Sequence, residues 1–125
     1  MERYIIVAGF ILFDIITGLA KAFYKEGVNS TALRKGLFHK LSEALAVIAS
    51  SGIEYALKYI ELPNIIPIAN MVIIYLCLME GISIIENICI MNPSLAKFFA
   101  PYLEKLKTSK EQMEKKEDNE DGMAR

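Results

Sequence analysis

The stretch IIPIANMVIIYLCLM, residues 65–79, carries no charge and is apolar on every side of a helical projection. A helix of that kind needs lipid around it or complete burial in protein. The apolar segment runs on to Met91 through Glu80 and Glu86, and at about 1.5 Å per residue it is long enough to cross a bilayer core. Towards the N-terminus, Tyr4–Tyr24 is a second segment of such length, interrupted by Asp14 and Lys21, and its part Tyr4–Phe13 is again apolar all round. A chain of 125 residues cannot completely bury two such helices. No segment offers eighteen consecutive uncharged apolar residues, so a soluble helical bundle is the competing reading. The sequence therefore predicts an all-α membrane protein with three transmembrane helices, a C-terminal amphipathic helix and a charged tail.

Between the two apolar segments, Lys25–Arg34 is a polar connector in which Gly27, Asn29 and Ser30 supply turn and cap chemistry, so that Ser30 or Thr31 starts the next helix. Leu33–Ile60 reads as one long helix, uncharged only from Ala44 to Ile53. Prolines at Pro63 and Pro67 make Glu61–Pro67 a break. Expected spans are 4–24, 37–60 and 65–91. Asn92 and Pro93 close the third and cap an amphipathic helix over about 93–107, with apolar Leu95, Phe98, Phe99, Tyr102, Leu103 and Leu106 and a bend at Pro101. Beyond Lys110 the composition predicts a fraying helix end passing into disorder. Residues 1–108 then form the membrane domain and 109–125 a charged cytoplasmic tail.

Hydrophobic residues make up 54% of the chain and the mean hydropathy is +0.33, above the usual balance of soluble domains. Lys plus Arg total 14 against 15 Asp plus Glu, so nucleic acid is not an expected partner. Cys77 and Cys89 lie twelve positions apart, about 18 Å along a helix and beyond disulfide reach. His39 is the only histidine. No metal-ligand spacing, phosphate loop or nucleophile elbow is present, so no cofactor, metal or enzymatic activity is expected. Basic residues collect between Lys21 and Lys40 and again near the C-terminus, while Glu61–Asn64 has none. That distribution places the N-terminus outside and the C-terminus in the cytoplasm. A cleaved signal peptide fits the first segment poorly, because Glu2 offsets Arg3 and Asp14 lies inside the apolar run.

Ionisable groups at membrane depth are costly unless they face protein or water, so their angular positions are informative. Asp14, Thr17, Gly18 and Lys21 share one face of the first span. Asp14 and Lys21 are too far apart for an ideal pair, so each calls for a partner elsewhere, or Lys21 snorkels. On the second span Glu43, Ser50, Glu54 and Glu61 share a stripe, with Lys40 and Lys58 beside it; Glu43, Ser50 and Glu54 are the candidate pore-lining residues. A helix lying in the interface would show the same stripe to headgroups. Ser42, Ala46, Ala49, Gly52 and Ala56 form a small-residue face that, with Gly18, permits close helix contact. In the third span Glu80, Ser83 and Asn87 line up, with Glu86 adjacent; with Asp14, Thr17 and Lys21 they are candidates for intramembrane polar packing.

Two blocks in this order carry a resemblance. The first is Asp14-Ile15-Ile16-Thr17-Gly18-Leu19-Ala20-Lys21-Ala22, followed by Asn29-Ser30, Arg34-Lys35-Gly36 and Lys40. The second is Glu80-Gly81-Ile82-Ser83-Ile84-Ile85-Glu86-Asn87, followed by Pro93 and Leu103-Glu104-Lys105-Leu106. From Asp14 to about Lys107 the chain resembles the toxin-secretion and phage-lysis holins, the phage holin family 4 type, although Ile88–Asn92 lacks a glycine expected there. The resemblance implies a homo-oligomer in the bacterial cytoplasmic membrane that opens lesions for an endolysin or a toxin, with no stable complex between them. Competing classes are an antiholin-like regulatory subunit that never opens and a small ion transporter or channel; the latter calls for internal repeats, and none is seen.

Overall fold

The computed structural model describes residues 1–25, 27–63 and 66–123; of the features expected above, Glu26 of the connector, Asn64 of the turn, the start of the third span at Ile65 and the last two tail residues lie outside them. Among the described residues there are four α-helices and no strand. Helix α1 is Glu2–Lys25, with an acidic first turn and a basic last turn that match the helix dipole. Gly27 at φ 94° returns its N–H to the Ala22 carbonyl at 2.8 Å, a conformation that suits glycine.

Helix α2, Ser30–Tyr59, is capped by Asn29, whose side-chain oxygen accepts from the N–H of Thr31 at 2.9 Å and of Ala32 at 3.4 Å. It ends where Glu61 turns left-handed at φ 56° and Leu62 donates back to the Leu57 carbonyl at 3.3 Å. This is the Schellman arrangement with glutamate in glycine's usual place.

Helix α3, Ile68–Met91, begins after Pro67, which gives no side-chain cap. The cap comes from α2: Glu54 Oε2 accepts from the Ala69 N–H at 3.1 Å. After α3, Pro93–Leu95 forms one 3₁₀ turn and α4 runs from Ala96 to Met123. Asn92, expected to cap this helix through its side chain, makes no such bond; its carbonyl accepts from Leu95 at 3.1 Å instead. The expected fraying beyond Lys110 is also not found. Glu, Lys, Gln and Met are strong helix formers, Lys110 and Glu114 pair at 3.9 Å, and the helix continues through Pro101 to Met123.

Helix α3 is the hub, packed against α1, α2 and α4. Arg3 meets Asn70 and Asp14 meets Asn87, so α1 and α3 are parallel. Tyr4 meets Ser51 and Asp14 meets Lys40, which makes α2 antiparallel to both. Lys107 meets Glu86 and Glu114 meets Tyr75, so α4 folds back along α3. The apolar core is small: Val7, Val47, Ile73 and Leu76, with Tyr4, Ile11, Val72 and Met79 against it. By length and composition α1 and α3 can cross a bilayer.

Candidate functional site

Polar residues fill much of the remaining interior. Asp14, Thr17, Glu43, Ser50, Glu54, Glu80 and Asn87 are all buried, while Ile5, Leu12 and Ile16 of α1 and Leu41, Leu45 and Ile48 of α2 are exposed. The bundle is thus inverted, with ionisable groups between helices and apolar side chains outside. In water that order forfeits the hydrophobic driving force; in hydrocarbon it is the expected one.

Lys40 organises the centre. It reaches from α2 to Asp14 of α1 at 2.7 Å, to Glu80 of α3, and to Glu43 of its own helix at 3.4 Å. Glu80 is 1% exposed, the most deeply buried ionisable side chain among the described residues. His39 Nε2 lies 3.0 Å from the other Glu43 oxygen. Neither carboxylate oxygen of Glu43 has a well-formed hydrogen bond, although both are buried. Three carboxylates therefore share one ammonium, an arrangement that depends on that cation. Asn87 extends the network by donating to Thr17 Oγ1 at 3.1 Å and to Asp14 Oδ1 at 3.4 Å, and Thr17 donates to the Asp14 carbonyl at 3.1 Å.

A second polar layer lies nearer the N-terminus of α3. Glu54 caps Ala69 and pairs with Lys58 at 3.2 Å. Tyr4 donates to Ser51 at 3.1 Å and accepts from Arg3 at 2.9 Å, and Arg3 also donates to Asn70. Ser50 is satisfied within its own helix by the Val47 carbonyl at 3.1 Å.

The expected site residues are thus distributed unevenly. Asp14, Thr17, Glu80 and Asn87 meet in one cluster, and Ser83 is half-buried on the same helix. Glu86 is exposed and pairs outward with Lys107 of α4 at 2.9 Å. Lys21 is half-buried in a cleft of about 350 Å³ between α1 and α2, which Asp14 and Lys40 also line. Glu43, Ser50 and Glu54, expected to face a lumen, point into the protomer: Glu43 lies 3.4 Å from Lys40, Ser50 bonds within its own helix, and Glu54 caps the α3 N-terminus. The partner that Asp14 calls for comes from its own chain, as Lys40 of α2 and Asn87 of α3. Gly18 faces Asn87, while Ser42, Ala46, Ala49, Gly52 and Ala56 lie exposed along the outside of α2.

The sequence reading missed Lys40 as the central residue and Glu54 as a cap. Lys40 precedes Glu43 by three positions, so its place on the buried face was available from helical spacing; its partners on two other helices were not. Among the described residues no group of His, Cys, Asp and Glu side chains could hold a metal ion. What the cluster can do is mechanical: it ties three helices together through a few charge-assisted contacts that must all form or break together.

Residues 3–108 match the family model described as the bacteriophage holin family. No curated protein and no solved structure matches the chain.

Proposed function

The chain belongs to the bacteriophage holin family, and from that premise we propose that it crosses the bacterial cytoplasmic membrane three times, oligomerises, and opens lesions through which an endolysin or a toxin leaves. The family is generally non-enzymatic, and membrane residence follows from it together with the two long apolar helices. The observation that carries the finer reading is the inversion of α2. By composition α2 is too polar to qualify as a span, yet Lys40, Glu43, Ser50 and Glu54 turn inward and its outer face is Leu41, Leu45, Ile48 and Ile53. A helix that hides its charges in protein presents lipid with a sufficiently apolar surface.

Exposed aromatics support the same placement. Phe23, Tyr24, Phe38, Phe98 and Tyr102 lie towards one end of the bundle, and Tyr55 and Tyr59 towards the other, as interfacial belts require. Lys25, Arg34 and Lys35 mark the first end as cytoplasmic, with the N-terminus outside.

In this reading the described protomer is closed. Opening separates the Lys40 cluster, and α2 rotates Glu43, Ser50 and Glu54 to a water-filled lumen while its small outer face carries the contact between protomers. Water and neighbouring subunits then replace the partners these groups lose. Purified protein added to vesicles loaded with size-graded dextrans should release large as well as small solutes. Release of ions alone would favour a channel, and no release would favour a regulatory subunit that assembles without opening, a behaviour the tightly tied Lys40 cluster also suits.

A further inference from the structure

Helix α4 lies where a charged helix cannot stay in a membrane. It runs antiparallel to α3, with Lys107 on Glu86 and Glu114 on Tyr75, both at 2.9 Å. Tyr75 is seven residues into α3, about 10 Å from its end, which is hydrocarbon depth once α3 spans a bilayer. Ten of the fifteen residues from Glu104 to Asp118 are charged, and each is expensive beside lipid. The hold on α3 is also shallow, since no α4 side chain among those described is buried. The first half of α4 has a surface suited to another partner: Lys97, Lys105 and Lys107 outnumber Glu104, and Phe98 and Tyr102 are exposed. Basic charge with aromatic side chains on an amphipathic helix fits an anionic headgroup layer. The joint is the 3₁₀ turn Pro93–Leu95 after Asn92, where no side-chain cap fixes the start of α4.

We propose that α4 is a strap that leaves α3 when the other helices enter lipid, pivots at Asn92–Leu95, and lays its first half on the anionic headgroups of the membrane. This rests on the membrane residence argued above but not on lesion formation.

The test uses the full chain with Cys77→Ala and Cys89→Ala, spin-labelled at Ile74→Cys and Gln112→Cys, positions that leave both strap contacts intact. Packed helices lie 8–10 Å apart, so a closed strap holds these labels within roughly 20 Å. A strap swung out at its joint separates them by roughly 40 Å, from the rise per residue on each side. In vesicles containing anionic phospholipid the long distance is expected, and persistence of the short one overturns the proposal. The chain has no tryptophan, so Tyr102→Trp supplies a single reporter; a quencher attached to headgroups should dim it several-fold. An undimmed reporter with the long distance overturns the headgroup docking. Protein that fails to float with the vesicles removes the membrane premise and the proposal together, whereas floating with the short distance overturns the proposal alone.

Discussion

Lys40 carries more of the structure than any other side chain, because three buried carboxylates from three helices lie against one amine. Removing one partner of a buried ion pair costs about 3–5 kcal/mol, chiefly through the charge left behind. Lys40→Met should therefore destabilise the bundle by roughly that amount in a denaturant titration in detergent, and combining it with Asp14→Asn and Glu80→Gln should recover much of the loss. An equally stable Lys40→Met protein would show that the cluster does not tie the helices. Glu54 acts differently, since it caps α3 from another helix. Loss of a cap costs about 1 kcal/mol, so Glu54→Ala should lower stability by that order, and Ser50→Ala, whose hydroxyl bonds only within its own helix, should change it much less. Glu61 holds a left-handed conformation at φ 56°, and Glu61→Gly should raise stability by about 1 kcal/mol in the same titration.

At the scale of the element, the outer face of α2 and the free end of α4 make separable predictions. Ala49→Leu and Gly52→Leu add bulk where the protomer has open space, so the monomer should fold as before while cross-linked oligomers disappear; unchanged oligomers would remove this face from the assembly. Deleting residues after Thr108 removes Glu114, which holds Tyr75 only while α4 lies on α3, so the onset of induced lysis should stay unchanged; a shifted onset would show that the hold persists in lipid. Most of the helix boundaries could be read from the sequence because their causes are local: Asn29 and Gly27 at one turn, Pro63 and Pro67 at the next, Pro93 at the last. The start of α3 and the direction of the α2 stripe could not, since both depend on Glu54 and Lys40 meeting residues distant in sequence. The tail was misread because its composition suits both a solvated helix and a disordered segment, and Tyr75 on α3 helps decide between them.

For the whole molecule, the inverted order of polar and apolar residues sets the environment in which the fold makes sense. A soluble bundle would place Leu45 and Ile48 inside and Glu43 and Lys40 outside; the chain does the reverse. Leu45→Cys and Ile48→Cys, each carrying a spin label in a background without Cys77 and Cys89, can be probed in vesicles with oxygen, which concentrates in hydrocarbon, and with a nickel chelate, which stays in water. High oxygen and low nickel access at both positions is the predicted result. Nickel access equal to that of a label in free solution would contradict it, and α2 would then not lie in the membrane.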